Sequence, residues 1–359
     1  MLFRSGVVDC VFMGSAIGPN TAINGARWPV LASCLPQSTS ASYIEMQCGS
    51  GIDSINHAAW KILAGQADII IAGGYESYSN APCRFPMTTE PYKMIPPLPI
   101  AFSQSPTRDA ATMNMGLTAE KLQKMYNISR EAQDEFSYRS QMRTQEAIKS
   151  GFCAQDIMPV SVPQGKKPPI EFKVDEFPRA ETTMEGLQKL PPAFIKEGTV
   201  TAGNSSGRND GAAFVLMMTK EKALELGYKP WAKWLAGGDY GVDPTIMGIA
   251  PAYAVPMALK RAGVKMSQLD VIECNEAFAV QNLAVAAELE KQTGDKVDWA
   301  KWNPNGGAIS YGHPNGASGP RIAIFTMRQL MKTGGKYGCF SSCCGGGLGV
   351  GTVVENLQR

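Results

Sequence analysis

The chain has 359 residues, 44% apolar and only 18% charged, with 34 basic against 32 acidic side chains. That length predicts roughly two to three folding units, and the apolar fraction excludes disorder. A net charge of +2 leaves no basic field for nucleic acid.

Nine cysteines, an odd number, with no secretory leader at Met1-Leu2-Phe3-Arg4, argue against a disulfide framework and for a reducing, cytoplasmic setting. No apolar run reaches the roughly 18 residues of a membrane span. Only His57 and His313 could supply imidazole ligands, and the Cys339–Cys344 cluster lacks paired C-x-x-C spacing. No metal site is expected.

In chain order, Val7–Met13 reads as a buried strand, and residues 20–35 carry helical spacing interrupted by Pro29. A short strand, Tyr43–Met46, runs into Cys48-Gly49-Ser50-Gly51. A helix with Ile52, Ile55, Ala59 and Ile62 on one face follows, and Asp68–Ala72 is an apolar strand. This rhythm predicts a parallel sheet flanked by helices. Seven prolines between Pro82 and Pro106 mark an excursion from it. Helices are predicted over 115–125 and 130–150, the second capped by Ser129. Residues 163–205 read as irregular and Ala212–Met218 as a strand. Alternation resumes with strands Trp231–Ala236 and Leu269–Cys274, helices Tyr253–Ala262, Phe278–Lys291 and Arg321–Met331, and strands Tyr337–Cys343 and Val350–Glu355. The division is 1–80 with 200–222, an inserted region 81–199, and 223–359. Each α/β half holds a strand that ends in cysteine and glycine, which looks like a duplication.

Cys48 sits between a strand and a helix, where helix N–H groups and dipole are expected to lower a thiol pKa. It is either a nucleophile or a structural cysteine at a tight turn. His313, in a glycine-rich loop, is the better acid/base candidate. His57 lies within the Cys48 helix and reads as a packing or surface residue. Asn275 follows the strand Val271–Cys274 and either serves an oxyanion or caps a helix.

Six stretches then fall into a known order: Gln47-Cys48-Gly49-Ser50-Gly51, Ala72-Gly73-Gly74-Tyr75-Glu76-Ser77, Thr201–Gly207, Asn275-Glu276-Ala277-Phe278, Gly312-His313-Pro314 and Cys343-Cys344-Gly345-Gly346-Gly347. The chain resembles the thiolases, which make or cleave 3-ketoacyl-CoA. The resemblance implies an α/β fold of duplicated halves, layers of helices around two mixed sheets, with an inserted loop domain. It implies an acyltransferase with CoA and acyl-CoA as substrates, no permanently bound cofactor, and a homodimer or homotetramer. Carried to matching positions, Cys48 would take the acyl group and His313 would activate it. Cys343 would be the acid/base at the carbon α to the thioester. Asn275 would hold a water that forms one oxyanion hole with His313, and the N–H groups of Cys48 and Gly345 would form the other. Met115 and Phe278 would contact substrate, the proline-rich insertion would line the acyl pocket, and Cys344 would pack beside the site.

Two departures stand out. Ala236 occupies a place where many members carry a serine that bonds the pantetheine arm. An opening strand–helix unit, about 30 to 40 residues, has no counterpart. Its strand is expected between Val7–Met13 and Asp68–Ala72, so that its loss would leave two unpaired ladders and mark a shortened chain. The alternatives are another condensing enzyme of the same fold, which commonly lacks the second cysteine, and a non-catalytic scaffold subunit.

Overall fold

The computed structural model describes residues 5–19, 23–84, 88, 90, 93, 98–99 and 114–359. Most of the proline-rich stretch expected to line an acyl pocket lies outside them.

The first sheet runs in the order β2-β1-β3-β8, with β1 Cys10–Gly14, β2 Ser40–Ile44, β3 Ile69–Glu76 and β8 Gly211–Met218. Strand β1 is parallel to both β2 and β3, and β8 is antiparallel to β3. The second sheet runs β10-β11-β12-β9, with β9 Ala232–Gly241, β10 Leu269–Cys274, β11 Tyr337–Cys344 and β12 Leu348–Asn356. Between the sheets' ends of the chain lie two small hairpins, β4 Cys83–Arg84 with β5 Leu98–Pro99 and β6 Val160–Gln164 with β7 Lys167–Phe172.

Two helices, α2 Ser50–Leu63 and α10 Asn315–Thr333, form the middle layer. Their Ile52, Ile55, Ala58, Ile322 and Ala323 meet Cys10, Phe12, Ile70 and Ala72 of one sheet and Val271, Phe340, Val350 and Val354 of the other. Strand alternation sends Val11 and Met13 to the opposite face, where Val30 of α1 (Arg27–Ala32) covers them. Beyond the second sheet, α7 Pro251–Ala262 and α8 Ala279–Thr293 bury Val255, Leu259, Val285 and Leu289 against Ile272, Cys339 and Val353. The inserted region contributes α3 Met115–Tyr126, α4 Arg130–Lys149 and α5 Met184–Gln188. Short helices α6 Lys220–Glu225 and α9 Ala308–Tyr311 complete the set.

The expected gap beside β1 is not there. Cys10 pairs with Ile70, and the register continues to Gly14 with Gly74, so β1 and β3 share one ladder. All five residues of β1 are buried because it is a central strand with helices on both faces, not because a neighbour has been lost. The second sheet suggests why the expectation failed. There the first strand of the half, β9, pairs with the last, β12, at the far edge. The corresponding edge in the first sheet is the outer side of β8, where Phe214 and Leu216 are exposed.

Other expectations need adjusting at their ends. Of the helical spacing over 20–35, the described residues hold α1 alone, with Pro29 inside its first turn, where an N–H has no intrahelical partner to lose. The strand expected at Tyr43–Met46 is registered at Ser40–Ile44. Helix α10 starts at Asn315, six residues before the predicted Arg321. Gly316, Gly319 and Pro320 look like breakers in a sequence, yet here they occupy helical positions that need close approach.

Candidate active site

Cys48 lies in a single 3-10 turn, Gln47–Gly49, between β2 and α2. Gln47 adopts φ +49, left-handed for a residue with a side chain, and so turns the chain sharply at the cysteine. Ser50 clamps the turn: its Oγ donates to Gln47 O at 2.6 Å and accepts from Met46 N at 2.9 Å. Gly49 has no room for a Cβ, which would stand 2.5 Å from Cys344 Sγ. Cys344 is thus the packing residue expected, fully buried under the turn.

The helix start does not make Cys48 acidic. Burial pushes its thiol up to about 12, reinforced by Glu76 and Glu45, while the N–H groups of Gly345 and Cys48 itself pull the other way. Desolvation of the anion outweighs two hydrogen bonds and the end of a helix. Cys343 is fully buried, where Cys48 is only half-buried, and its thiol is raised, first by burial and then by Cys48 and Cys344.

His313 is buried on the loop before α10, and burial together with Arg321 pushes its imidazole down to about 3. Its Nδ1 is 2.6 Å from Ser318 Oγ, and Ser318 Oγ donates to Pro314 O at 3.1 Å. A serine proton directed to that carbonyl goes with the tautomer in which Nδ1 carries the hydrogen and donates to the serine. In that tautomer Nε2 keeps its lone pair. Asn275 Nδ2 approaches this Nε2 at 3.4 Å, and its Oδ1 has no protein partner. The loop is held by Asn209, whose Oδ1 accepts from His313 N at 3.1 Å. Gly312, at φ +91, passes so close to Asn209 that a Cβ would lie 2.2 Å from its Oδ1.

The two halves meet at α10. Asn315, two residues past His313, donates from Nδ2 to Cys48 Sγ at 3.5 Å. Gly316 N donates to Glu76 Oε2 at 3.2 Å, and the same buried carboxylate accepts from Ser15 Oγ, Ala16 N and Ile17 N. Met115 and Phe278 join Cys343 in one apolar cluster with Val200 and Met247. His57 is exposed and bonded within its own helix to Asp53. Ala236 is buried in β9.

The structure therefore gathers Cys48, Gly345 and Cys343 on one side and Asn275 with His313 on the other. Sequence reading gives no role to Ser318, Asn209, Glu76 or Asn315, although Ser318 lies one helical turn beyond the histidine and Glu76 falls inside the Ala72–Ser77 stretch. Glu276, inside the Asn275–Phe278 stretch, has none either. It is buried, accepting from Ser140 Oγ at 2.6 Å, Asn303 Nδ2 at 2.9 Å and Ile309 N at 3.3 Å.

Known proteins share this arrangement of sequence and fold. The profile described as "Thiolase, N-terminal domain" matches residues 3–221, and "Thiolase, C-terminal domain" matches 228–356. The chain is 43% identical over 361 residues to an acetyl-CoA acetyltransferase of Chromobacterium violaceum, covering 99% of this chain and 91% of that protein. It is 42% identical over 347 residues to a beta-ketoadipyl-CoA thiolase of Acinetobacter baylyi, covering 93% and 84%. Among solved structures, the Bacillus anthracis acetyl-CoA acetyltransferase superposes with a TM-score of 0.91 at 37% identity, covering 99% of this chain and 89% of that one. Human mitochondrial 3-ketoacyl-CoA thiolase in complex with CoA gives 0.88 at 38% identity, covering 98% and 87%.

One buried charge near the site sets a pH dependence. Neither carboxylate oxygen of Glu273 has a hydrogen-bond partner, and burial raises its pKa from 4.5 to about 8, against the pull of Arg321 and Arg143. The folded protein then holds a proton that the unfolded chain releases, so stability falls as pH rises from about 4.5 through about 8. Thermal melts should show the wild type losing several degrees more between pH 5.5 and 8.5 than Glu273→Gln, which cannot titrate. Parallel curves for the two proteins would contradict this.

Proposed function

Because this chain belongs to the thiolase family, we propose that it transfers acyl groups between coenzyme A thioesters, forming or cleaving 3-ketoacyl-CoA, through an acyl-enzyme on Cys48. The observation that carries this reading is the meeting of Cys48, half-buried, with the buried Cys343, and the tie from the His313 loop through Asn315 Nδ2 to the Cys48 sulfur at 3.5 Å. A ping-pong acyl transfer needs one sulfur occupied while another group moves a proton.

In the cleavage direction, Cys48 attacks the 3-keto carbon and its proton passes to Nε2 of His313, which has the free lone pair. Negative charge on the former carbonyl oxygen is stabilised by donors fixed before reaction. The N–H groups of Gly345 and Cys48, which already reach the sulfur, serve one such position. Asn275 and His313 serve the other, with the unpartnered Oδ1 of Asn275 orienting a water. The C2–C3 bond breaks, its electron pair goes to C2, and Cys343 gives that carbon its proton. The Cys343 thiolate then takes the proton of incoming CoA, whose sulfur displaces the acyl group from Cys48, and the released Cys48 thiolate takes back the proton held by His313. A thiol that resists ionisation suits this part, since it is a donor only to a stronger base. Synthesis runs the same steps backwards. Met115 and Phe278 border the acyl side of Cys343, and CoA and acyl-CoA are the only small molecules the reading requires.

An intact Cys343 argues against a condensing enzyme that lacks the second cysteine. A scaffold has no use for a histidine whose tautomer is set by Ser318. Nine free thiols support a reducing compartment, the cytoplasm. Among the described residues no helix is long and apolar enough to cross a membrane.

After incubation with acetyl-CoA, mass spectrometry should find one acetyl group on Cys48 in the wild type and in Cys343→Ser, and none in Cys48→Ser. Cys343→Ser should then fail at α-carbon proton exchange. Acylation of Cys48→Ser but not of Cys343→Ser would reverse the two roles, and no acylation of the wild type would sink the reading.

A homodimer, or a dimer of dimers, is part of the same proposal. Strand β2 is an open edge, and Trp28 and Leu31 of the adjoining α1 are 60% and 54% exposed. Sedimentation equilibrium should give at least twice the chain mass. A stable, active monomer would contradict it.

A further inference from the structure

The proposed nucleophile touches one side chain that the mechanism above does not use. Asn315, at 8% exposure, donates from Nδ2 to Cys48 Sγ at 3.5 Å. Its Oδ1 accepts from the Tyr78 hydroxyl at 3.0 Å. This pairing decides which way the amide faces. A phenol that gives its proton to Oδ1 leaves the NH₂ end for the sulfur, and the reverse orientation would set a carbonyl oxygen against a sulfur that must become negative. Burial, followed by Cys48 and Glu76, keeps the Tyr78 hydroxyl protonated and so a donor.

Tyr78 is itself fixed. It lies in a short turn after β3 whose Ser77 Oγ and Ser79 N both donate to Asp210, at 3.3 and 3.0 Å. The Arg208 guanidinium stands 5.8 Å over its ring. Two elements that enter the site from opposite halves, the β3 turn and the start of α10, are thus tied by one hydrogen bond whose far end is the sulfur.

The surroundings of Cys48 make this contact matter. Burial, with Glu76 and Glu45, raises its pKa, and Cys343, Cys344 and Tyr78 are themselves held in their neutral forms beside it. His313 is neutral and offers a lone pair. Among the described residues, the donors that reach the sulfur are the backbone N–H groups of Gly345 and Cys48 and the Asn315 amide. A hydrogen bond to a charged acceptor contributes about twice what it does to a neutral one. The amide therefore favours the thiolate over both the thiol and the thioester.

We propose that Asn315 is a catalytic residue that donates its amide hydrogen to the Cys48 sulfur as negative charge develops there, and that Tyr78 is the positioning residue that aims it. The proposal rests on the reading of Cys48 as the nucleophile. In acylation the sulfur loses its proton to His313 and the new anion finds the donor in place. In deacylation the C–S bond breaks, the electron pair returns to sulfur, and the same donor stabilises the leaving thiolate.

The test is the rate of iodoacetamide alkylation of Cys48, followed by mass spectrometry of its own peptide because Cys34 and Cys83 are exposed and also react. Rates are measured from pH 7 to 9.5 in the wild type, Asn315→Leu and Tyr78→Phe. Losing a donor to a charged sulfur should slow Asn315→Leu by about tenfold at every pH. Tyr78→Phe, which frees the amide to rotate, should slow by about threefold, within the smaller range of a neutral bond. A merely structural defect has the opposite sign, since loosened packing hydrates the thiol and speeds its alkylation. If Asn315→Leu reacts at the wild-type rate or faster, the inference is overturned. If that variant does not fold, Tyr78→Phe decides on the same criterion. Acetyl-CoA labelling of the wild type separates the two claims. No acetyl on Cys48 defeats the nucleophile reading, whereas normal acetylation beside unchanged alkylation in the variants defeats only this one.

Discussion

Four positions without side chains, Gly14, Gly51, Gly74 and Gly316, decide whether this molecule has a site at all. A Cβ on Gly316 would stand 2.2 Å from Gly14 O and 2.4 Å from Tyr75 O. One on Gly51 or Gly74 would stand 2.2 Å from Gly316 O. Backbone meets backbone here, and nothing in the contact can swing aside. The start of α10 therefore rests directly on the ends of β1 and β3 and the start of α2. Glu76 completes the seam by taking Gly316 N and the Ser15–Ile17 turn on one buried carboxylate. Cys48 belongs to one side of this crossing and His313 to the other. Any spacing between them would leave a thiol and an imidazole in separate pockets.

The crossing also buries His313 and Cys343, and the electrostatics follow from that. Cys48, His313 and Cys343 are all driven toward their uncharged forms by burial. A site that rests neutral pays no desolvation penalty for a standing ion pair. In the proposed reaction charge appears only as bonds change, where donors already stand: the N–H groups of Gly345 and Cys48 and the Asn315 amide all reach the sulfur. Preorganised dipoles in a dry site act more strongly than the same groups in water.

Much of this was legible because chemistry-bearing residues stood at strand–helix junctions punctuated by glycine. Cys48, Asn275, His313 and the Cys343 run are each local in sequence, and the alternation of strands and helices placed them at sheet ends. What escaped was non-local or a matter of magnitude. Asn315 reaches Cys48 across 267 residues, and the amide of Gly316 reaches Glu76 across 240, so no spacing rule finds them. The helical start of α10 was hidden by glycines whose role is contact rather than turning. The apolar run of β1 signalled burial correctly but not which neighbours bury it, so a gap was expected where β3 pairs. The N–H groups around Cys48 do favour its thiolate, but desolvation is the larger effect.

The central claim is that the glycine crossing brings the two halves of the site into register. Gly316→Ala tests it most directly, because the added methyl meets only backbone atoms. Acetylation of Cys48 by acetyl-CoA and the thermal midpoint should be measured on the same preparation. The account predicts that stability falls by about 1–3 kcal/mol or more, as overpacking of a tight contact requires, and that acetylation slows at least tenfold in protein that is still folded. Wild-type stability together with a wild-type acetylation rate would show that α10 does not need to lie where it does.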